Sequence, residues 1–286
     1  MHTLEFPAKN LTIQFPSEWD ECSEYQVHFI LENSFKVMDG NISIAEFRNK
    51  VFTYFTGLKT GWKYLLRNKL GLNNFINERI FQLSQELCNW IFVKNDDDNF
   101  ELNFQTIKNF FPILNNKYFG PEDLLSNITL HEFKSALSLL DQYFDAKDDE
   151  DQSNLFLNYF IATIYRPKDD LGNRVSLNNY IIEPGLFEKT PIWQKQIIAI
   201  WFSYCIKCLQ QEDIIIDGLE VNLSVLFPDS PSGSSNTQKV NLGWTGVLMD
   251  IAESGVFGNA LETGRTLLYD ILLYLLKKHQ DQPKQK

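Results

Sequence analysis

The sequence predicts a mainly α-helical protein: a helical body with a short N-terminal strand and one β-hairpin, followed by a C-terminal helical pair. Three observations carry this. Two runs open with the Ser/Thr-x-x-Glu pattern in which side chain and backbone satisfy each other at a helix start, Ser43 with Glu46 and Thr129 with Glu132. The stretch Ile192 to Leu209 is apolar on almost every side, as a central buried helix requires. Strand signals are confined to two short places.

The first of these is Leu11 to Phe15, where apolar and polar residues alternate between Pro7 and Pro16. Ser17-Glu-Trp-Asp20 then reads as a helix start, with acidic residues at the positive end, and the helix is expected to run to Met38 and stop at Asp39-Gly40. Asn41-Ile-Ser-Ile-Ala-Glu-Phe-Arg48 opens the next helix, and Asn127-Ile-Thr-Leu-His-Glu-Phe-Lys134 opens a later one in nearly the same words. We read the pair as two helices sharing one start chemistry rather than as a repeat. Between them fall a helix from about Phe75 to Val93 and a weak extended stretch around Phe100 to Phe111. A helix from Leu155 to Tyr165 ends at Arg166-Pro167, because a residue preceding proline avoids the helical region. Pro167 to Thr190 is loop-like. Thr190 is the expected N-cap of the next helix, with Pro191 at its first position. Asp217-Gly218 between apolar runs marks a hairpin over about 214–226. The end of the chain reads as helix, a break at Ser254-Gly255, and a last helix capped by Asn259 and Glu262, with Lys277, Lys278 and His279 at its negative end.

This organisation predicts a body over 1–228, a Ser/Gly-rich linker over 229–237 and a helical pair over 238–286. The formal charge of −11 argues against nucleic acid as a direct partner, since a phosphate backbone calls for clustered Lys and Arg. The start of the chain has no basic head before an apolar run. The longest apolar run, Leu267 to Leu276, is interrupted by Asp270 and falls short of the ~20 residues a membrane span needs. Four sparse cysteines fit a reducing compartment. A cytoplasmic protein with no membrane partner is therefore expected.

No catalytic, cofactor-binding or metal-binding residues are predicted. Cys205 and Cys208 form a CxxC, but near the end of a helix, where the dipole opposes a thiolate, and Cys22, Cys88 and the four histidines supply no matching ligand spacing. The acidic runs at Asp96–Asp98 and Asp148–Asp151 lack the calcium-loop pattern. Gly243-Trp-Thr-Gly246 is not a phosphate loop, and Glu253-Ser-Gly255 is not a nucleophile elbow. Arg166 and Arg174 flank a loop where an anion could sit, though such arginines usually pair with carbonyls or carboxylates. Trp193 and Trp201 read as core. Trp244, beside two glycines and just past the expected linker, reads as interface.

Three patches resemble small helical proteins encoded in tail-gene clusters of phages and prophages of Bacteroidetes-type bacteria. They are Phe15-Pro-Ser-Glu-Trp-Asp-Glu21, Ala162-Thr-Ile-Tyr-Arg-Pro167 and Gly243-Trp-Thr-Gly-Val-Leu-Met-Asp-Ile-Ala-Glu-Ser-Gly-Val-Phe-Gly258. The resemblance implies a non-enzymatic, chaperone-like tail assembly factor whose partner is a tape-measure protein or another tail component. A structural tail or virion subunit is the alternative, and a helical interaction protein of other kind the next. On this reading the C-terminal pair covers an apolar client helix through Trp244, Val247, Leu248, Ile251, Val256 and Phe257.

Overall fold

The computed structural model describes residues 1–6, 11–58, 61–95, 99–216, 218–227 and 243–281, and for 6, 11, 62–65 and 243–245 the backbone alone. The expected linker at 229–237 and the acidic run at Asp96–Asp98 lie outside the described residues. Backbone contacts divide the chain into two units, Met1–Thr106 and Ile107–Lys286, a division inside the stretch expected as one body. The protein is mainly α-helical. Among the described residues its strands form four two-stranded antiparallel pairs, with isolated bridges besides.

In the first unit β1 (His2–Phe6) pairs with β2 (Leu11–Phe15), Leu4 opposite Ile13. β2 is the expected strand, and β1 is its unforeseen partner. The helix expected from Ser17 starts later. The Ser17 backbone N–H donates to the Glu21 carboxylate at 2.8 Å, one 3-10 turn spans Trp19–Glu21, and the chain straightens at Cys22. Helix α1 (Glu24–Met38) then begins at Ser23, whose hydroxyl accepts from the Gln26 N–H while the Gln26 amide reaches back. A capping box six residues further on thus outcompetes the Ser17 start. Helix α2 (Ile44–Thr56) ends on Gly57 at φ 62°, a left-handed turn that favours glycine. Helices α3 (Trp62–Lys69) and α4 (Asn74–Leu87) follow. α3 was unforeseen. α4 stops short of Val93, because Cys88 to Ile91 tighten into a 3-10 turn that feeds the hairpin β3 (Phe92–Lys94) and β4 (Phe100–Leu102). Phe15, Phe47, Val51, Phe52 and Ile91 are fully buried or nearly so, and Trp19 stands edge-on to Trp90 and Phe104 at 5.0 and 4.7 Å.

The second unit opens with the tight hairpin β5 (Ile113–Leu114) and β6 (Tyr118–Phe119). Helix α5 (Leu130–Asp145) packs along α6 (Glu150–Ile164), which begins five residues before Leu155 because the Asp149 carboxylate caps it at the Gln152 N–H. Helix α7 (Ile192–Gln211) is the buried helix the sequence announces. Phe202 packs against Phe133 of α5 and Phe160 of α6, at 6.1 and 5.3 Å between ring centres. Its first residue is displaced by one: Pro191 takes the cap position and the Thr190 hydroxyl is engaged with Asn115 instead. The expected hairpin is β7 (Asp213–Ile216) against β8 (Leu219–Asn222), and a 3-10 turn replaces its far end at Ser224–Leu226. α8 (Gly243–Ser254) breaks at Gly255 as expected. The final helix is split into α9 (Ala260–Arg265) and α10 (Leu268–Gln280). The split falls where Leu267 forms a β-bridge with Thr129, and Leu268 N–H donates to the Ile128 carbonyl.

Candidate functional site

The residues expected to meet a client divide by burial. Leu248 and Ile251 are buried, so α8 turns this apolar side inward, and Val247 is half-buried beside Ile251 in a crevice bounded by Leu275 and Lys278 of α10. Phe257 lies edge-on to Tyr274 of α10, ring centres 5.4 Å apart. Val256 is exposed, as is Met249 of α8. The side chain of Trp244 lies outside the described residues.

A second apolar surface, not foreseen, lies on the first unit. Phe75, Ile76, Ile80 and Leu83 of α4 share one helical stripe, and with Phe52 and Leu58 they line a wholly apolar groove edged by Arg79. Phe75 is 81% exposed and Ile76 46%, and the neighbouring Leu66, Leu70 and Leu72 are each more than half exposed. Exposed apolar side chains grouped in this way make the stripe a candidate interaction surface. The signal was present in the sequence as the cluster Leu70 to Ile76, but composition does not say which face of a helix is left uncovered.

A cleft of about 990 Å³ belongs to the second unit and is lined by polar and apolar groups together. Two of its lining residues, Glu132 and Arg174, belong to a buried ion cluster with Arg166. Arg166, two residues past the end of α6, donates through Nη2 to Glu132 and through Nε to the Val175 carbonyl at 2.7 Å. Arg174 donates through Nη2 to the other Glu132 oxygen at 3.2 Å and to the Asn127 carbonyl at 2.8 Å, and through Nη1 to the Ile164 carbonyl at 2.9 Å. Both arginines are thus carbonyl and carboxylate partners. Burial pulls the Arg166 pKa below its ordinary value and Glu132 opposes that shift. Glu132 is also the third helical residue of α5 and completes the Thr129 capping box, its carboxylate accepting from the Thr129 N–H at 3.2 Å.

The wall beside this cluster is tightly built. Phe119 and Arg166 exchange backbone hydrogen bonds at 2.8 and 3.1 Å. A Cβ on Gly120 would stand 2.5 Å from the buried Tyr165 ring, so only glycine fits there. Tyr165 Oη donates to the Phe111 carbonyl at 2.7 Å, and burial pushes its pKa up. Leu124 and Leu125 sit at φ 51° and 63°, held by hydrogen bonds from the Leu124 N–H to Ile107 and from Tyr269 Oη to the Leu124 carbonyl. Consecutive left-handed leucines are costly and persist only where the surroundings enforce them.

The thiols are placed as inert side chains. All four are buried. Burial pushes Cys88 up to about 12 and raises Cys205 and Cys208 as well. His131 Nδ1 lies 2.8 Å from the Asn178 side-chain oxygen. Among the described residues no group of three or more His, Cys, Asp or Glu is placed to hold a metal ion, and no helix is long and apolar enough to cross a membrane. No protein-family model matches the chain, and no curated protein or solved structure is significantly similar to it.

Proposed function

We propose that this chain is a non-enzymatic assembly factor of phage-tail type, which holds an apolar helical segment of a tape-measure or other tail component until assembly. The observation that supports the reading is the uncovered stripe of α4, with Phe75 and Ile76 at its centre and an apolar groove beside it. A client helix laid there would present its own apolar side chains at i, i+3 and i+4 spacing. Covering one exposed Phe contributes about 1.5–3 kcal/mol before the costs of association are subtracted. The three sequence patches that resemble tail-cluster proteins supply the client class, and the burial of the thiols speaks for binding over thiol chemistry.

The test is co-expression with the tape-measure-like protein of the same gene cluster. The wild-type chain is expected to keep that client soluble, and the Phe75→Ser/Ile76→Ser variant to lose it while remaining folded. A client that precipitates beside the wild-type chain, or stays soluble beside the variant, rejects the proposal. Mass spectrometry of purified particles separates the alternative: this chain at stoichiometric amount makes it a structural subunit.

A further inference from the structure

The apolar groove of the first unit has a charge as well as a shape. Among the described residues that line it, Arg79 is the one charged side chain. Arg79 is exposed and makes no ion pair among the described residues; its Nη1 donates to the Gln82 side-chain oxygen at 3.3 Å. Two more cations are held near the start of the stripe. The Asn77 side-chain amide donates to Asn68 Oδ1 at 2.6 Å, which ties α3 to the first turn of α4. Arg67 and Lys69, the sequence neighbours of Asn68, are exposed and also lack an ion-pair partner among the described residues. From the start of α2 to the end of α4, residues 44–87, the sequence holds seven Lys and Arg against three Glu, in a chain whose net charge is −11. One of those three, Glu46, is already paired with Lys50. The most exposed apolar stretch of the first unit, Leu66 to Ile76, therefore falls within its cationic part. The stripe from Phe75 to Leu83 is about 12 Å long, two turns at 1.5 Å per residue. Phe52 and Leu58 stand as its second wall. A groove with two walls seats a rod, whereas a bilayer is met by a convex face.

We propose that the segment held in this groove is an acidic amphipathic helix, its apolar face against the α4 stripe and its carboxylates opposite Arg79, Arg67 and Lys69. The proposal rests on the reading of that stripe as the client site and adds the charge of what fills it. Exposed charges around an apolar contact select partner and orientation more than they add affinity. The acidic remainder of the chain repels such a helix, so its attraction is confined to this surface.

The test uses two labelled synthetic peptides with leucines at i, i+3, i+4 and i+7. One carries Glu on its polar face and its twin carries Lys. Fluorescence anisotropy with the full chain reads each affinity, and the part that Phe75→Ser/Ile76→Ser removes is the part due to the groove. The Glu peptide is expected to bind there about tenfold more tightly, since each exposed pair gives a few-fold and the twin turns attraction into repulsion. The preference should shrink in 1 M salt, where charges are screened beyond about 3 Å. It should also shrink about fivefold in Arg67→Ala/Lys69→Ala/Arg79→Ala, whose exposed positions leave the thermal transition unchanged. Equal affinities, or tighter binding of the Lys twin, overturn this inference and leave the groove as a client site. Binding of neither peptide overturns both. A chain that dimerises through Phe75 and Ile76, or that binds phosphatidylglycerol vesicles but not the Glu peptide, places a second copy or a bilayer there and overturns the inference as well.

Discussion

Removing the Glu132 carboxylate tests the reading of the cluster at the end of α6. At an effective dielectric constant near 20, the Arg174 contact at 3.2 Å alone is about 5 kcal/mol of gross attraction, set against the cost of drying both groups. Glu132→Ala leaves two guanidiniums, one fully buried, without their shared counter-charge, and breaking a buried pair in this way costs about 3–5 kcal/mol. It also removes the back-bond of the capping box to the Thr129 N–H. Glu132→Gln keeps an acceptor of the same shape and should recover part of the loss. A triple apolar replacement at 132, 166 and 174 should not restore stability. The two arginines also satisfy the carbonyls of Thr163, Ile164, Val175 and Asn127, and an apolar side chain leaves these acceptors without donors. Urea denaturation, with hydrogen exchange resolved over 107–286, reads the effect. A loss under about 1 kcal/mol for Glu132→Ala, the scale of an exposed ion pair, would refute the argument.

Gly120→Ala is expected to destabilise the second unit by about 1–3 kcal/mol, because the new methyl meets the Tyr165 ring and Tyr165 is tied to Phe111; a neutral result in the same urea assay means the loop relaxes away. The four thiols should resist a maleimide reagent in the native protein and all react once it is denatured. For Cys88 the pH dependence has a definite sign. Its pKa is raised from 9.0 to about 12, so stability is unaffected below pH 9 and declines as pH climbs towards 12, where only the unfolded chain ionises this group freely. A Cys88→Ala variant with an unchanged alkaline stability profile would show that this thiol is not responsible.

What the sequence determined by itself is local. The start of α5 at Thr129 and the Asn259 cap of α9 follow from side chains that satisfy backbone groups within a few residues, and the break at Gly255 from a left-handed backbone that glycine takes without strain; no distant partner is needed. The apolar run of α7 likewise announced a buried helix, because a helix with no polar face has nowhere to lie but inside. What only the tertiary structure decided is which copy of a local pattern meets which neighbour. Ser43 and Thr129 open helices in nearly the same words, yet Glu46 reaches an exposed Lys50 while Glu132 is buried between two arginines more than thirty residues away. Leu248 and Ile251 look as free to meet a partner as Phe75 and Ile76 do. Packing within the second unit covers the first pair, and the stripe on α4 stays open. Apolar periodicity specifies that a face exists; burial depends on what the remote chain brings against it, and that information is spread over contacts far apart in sequence.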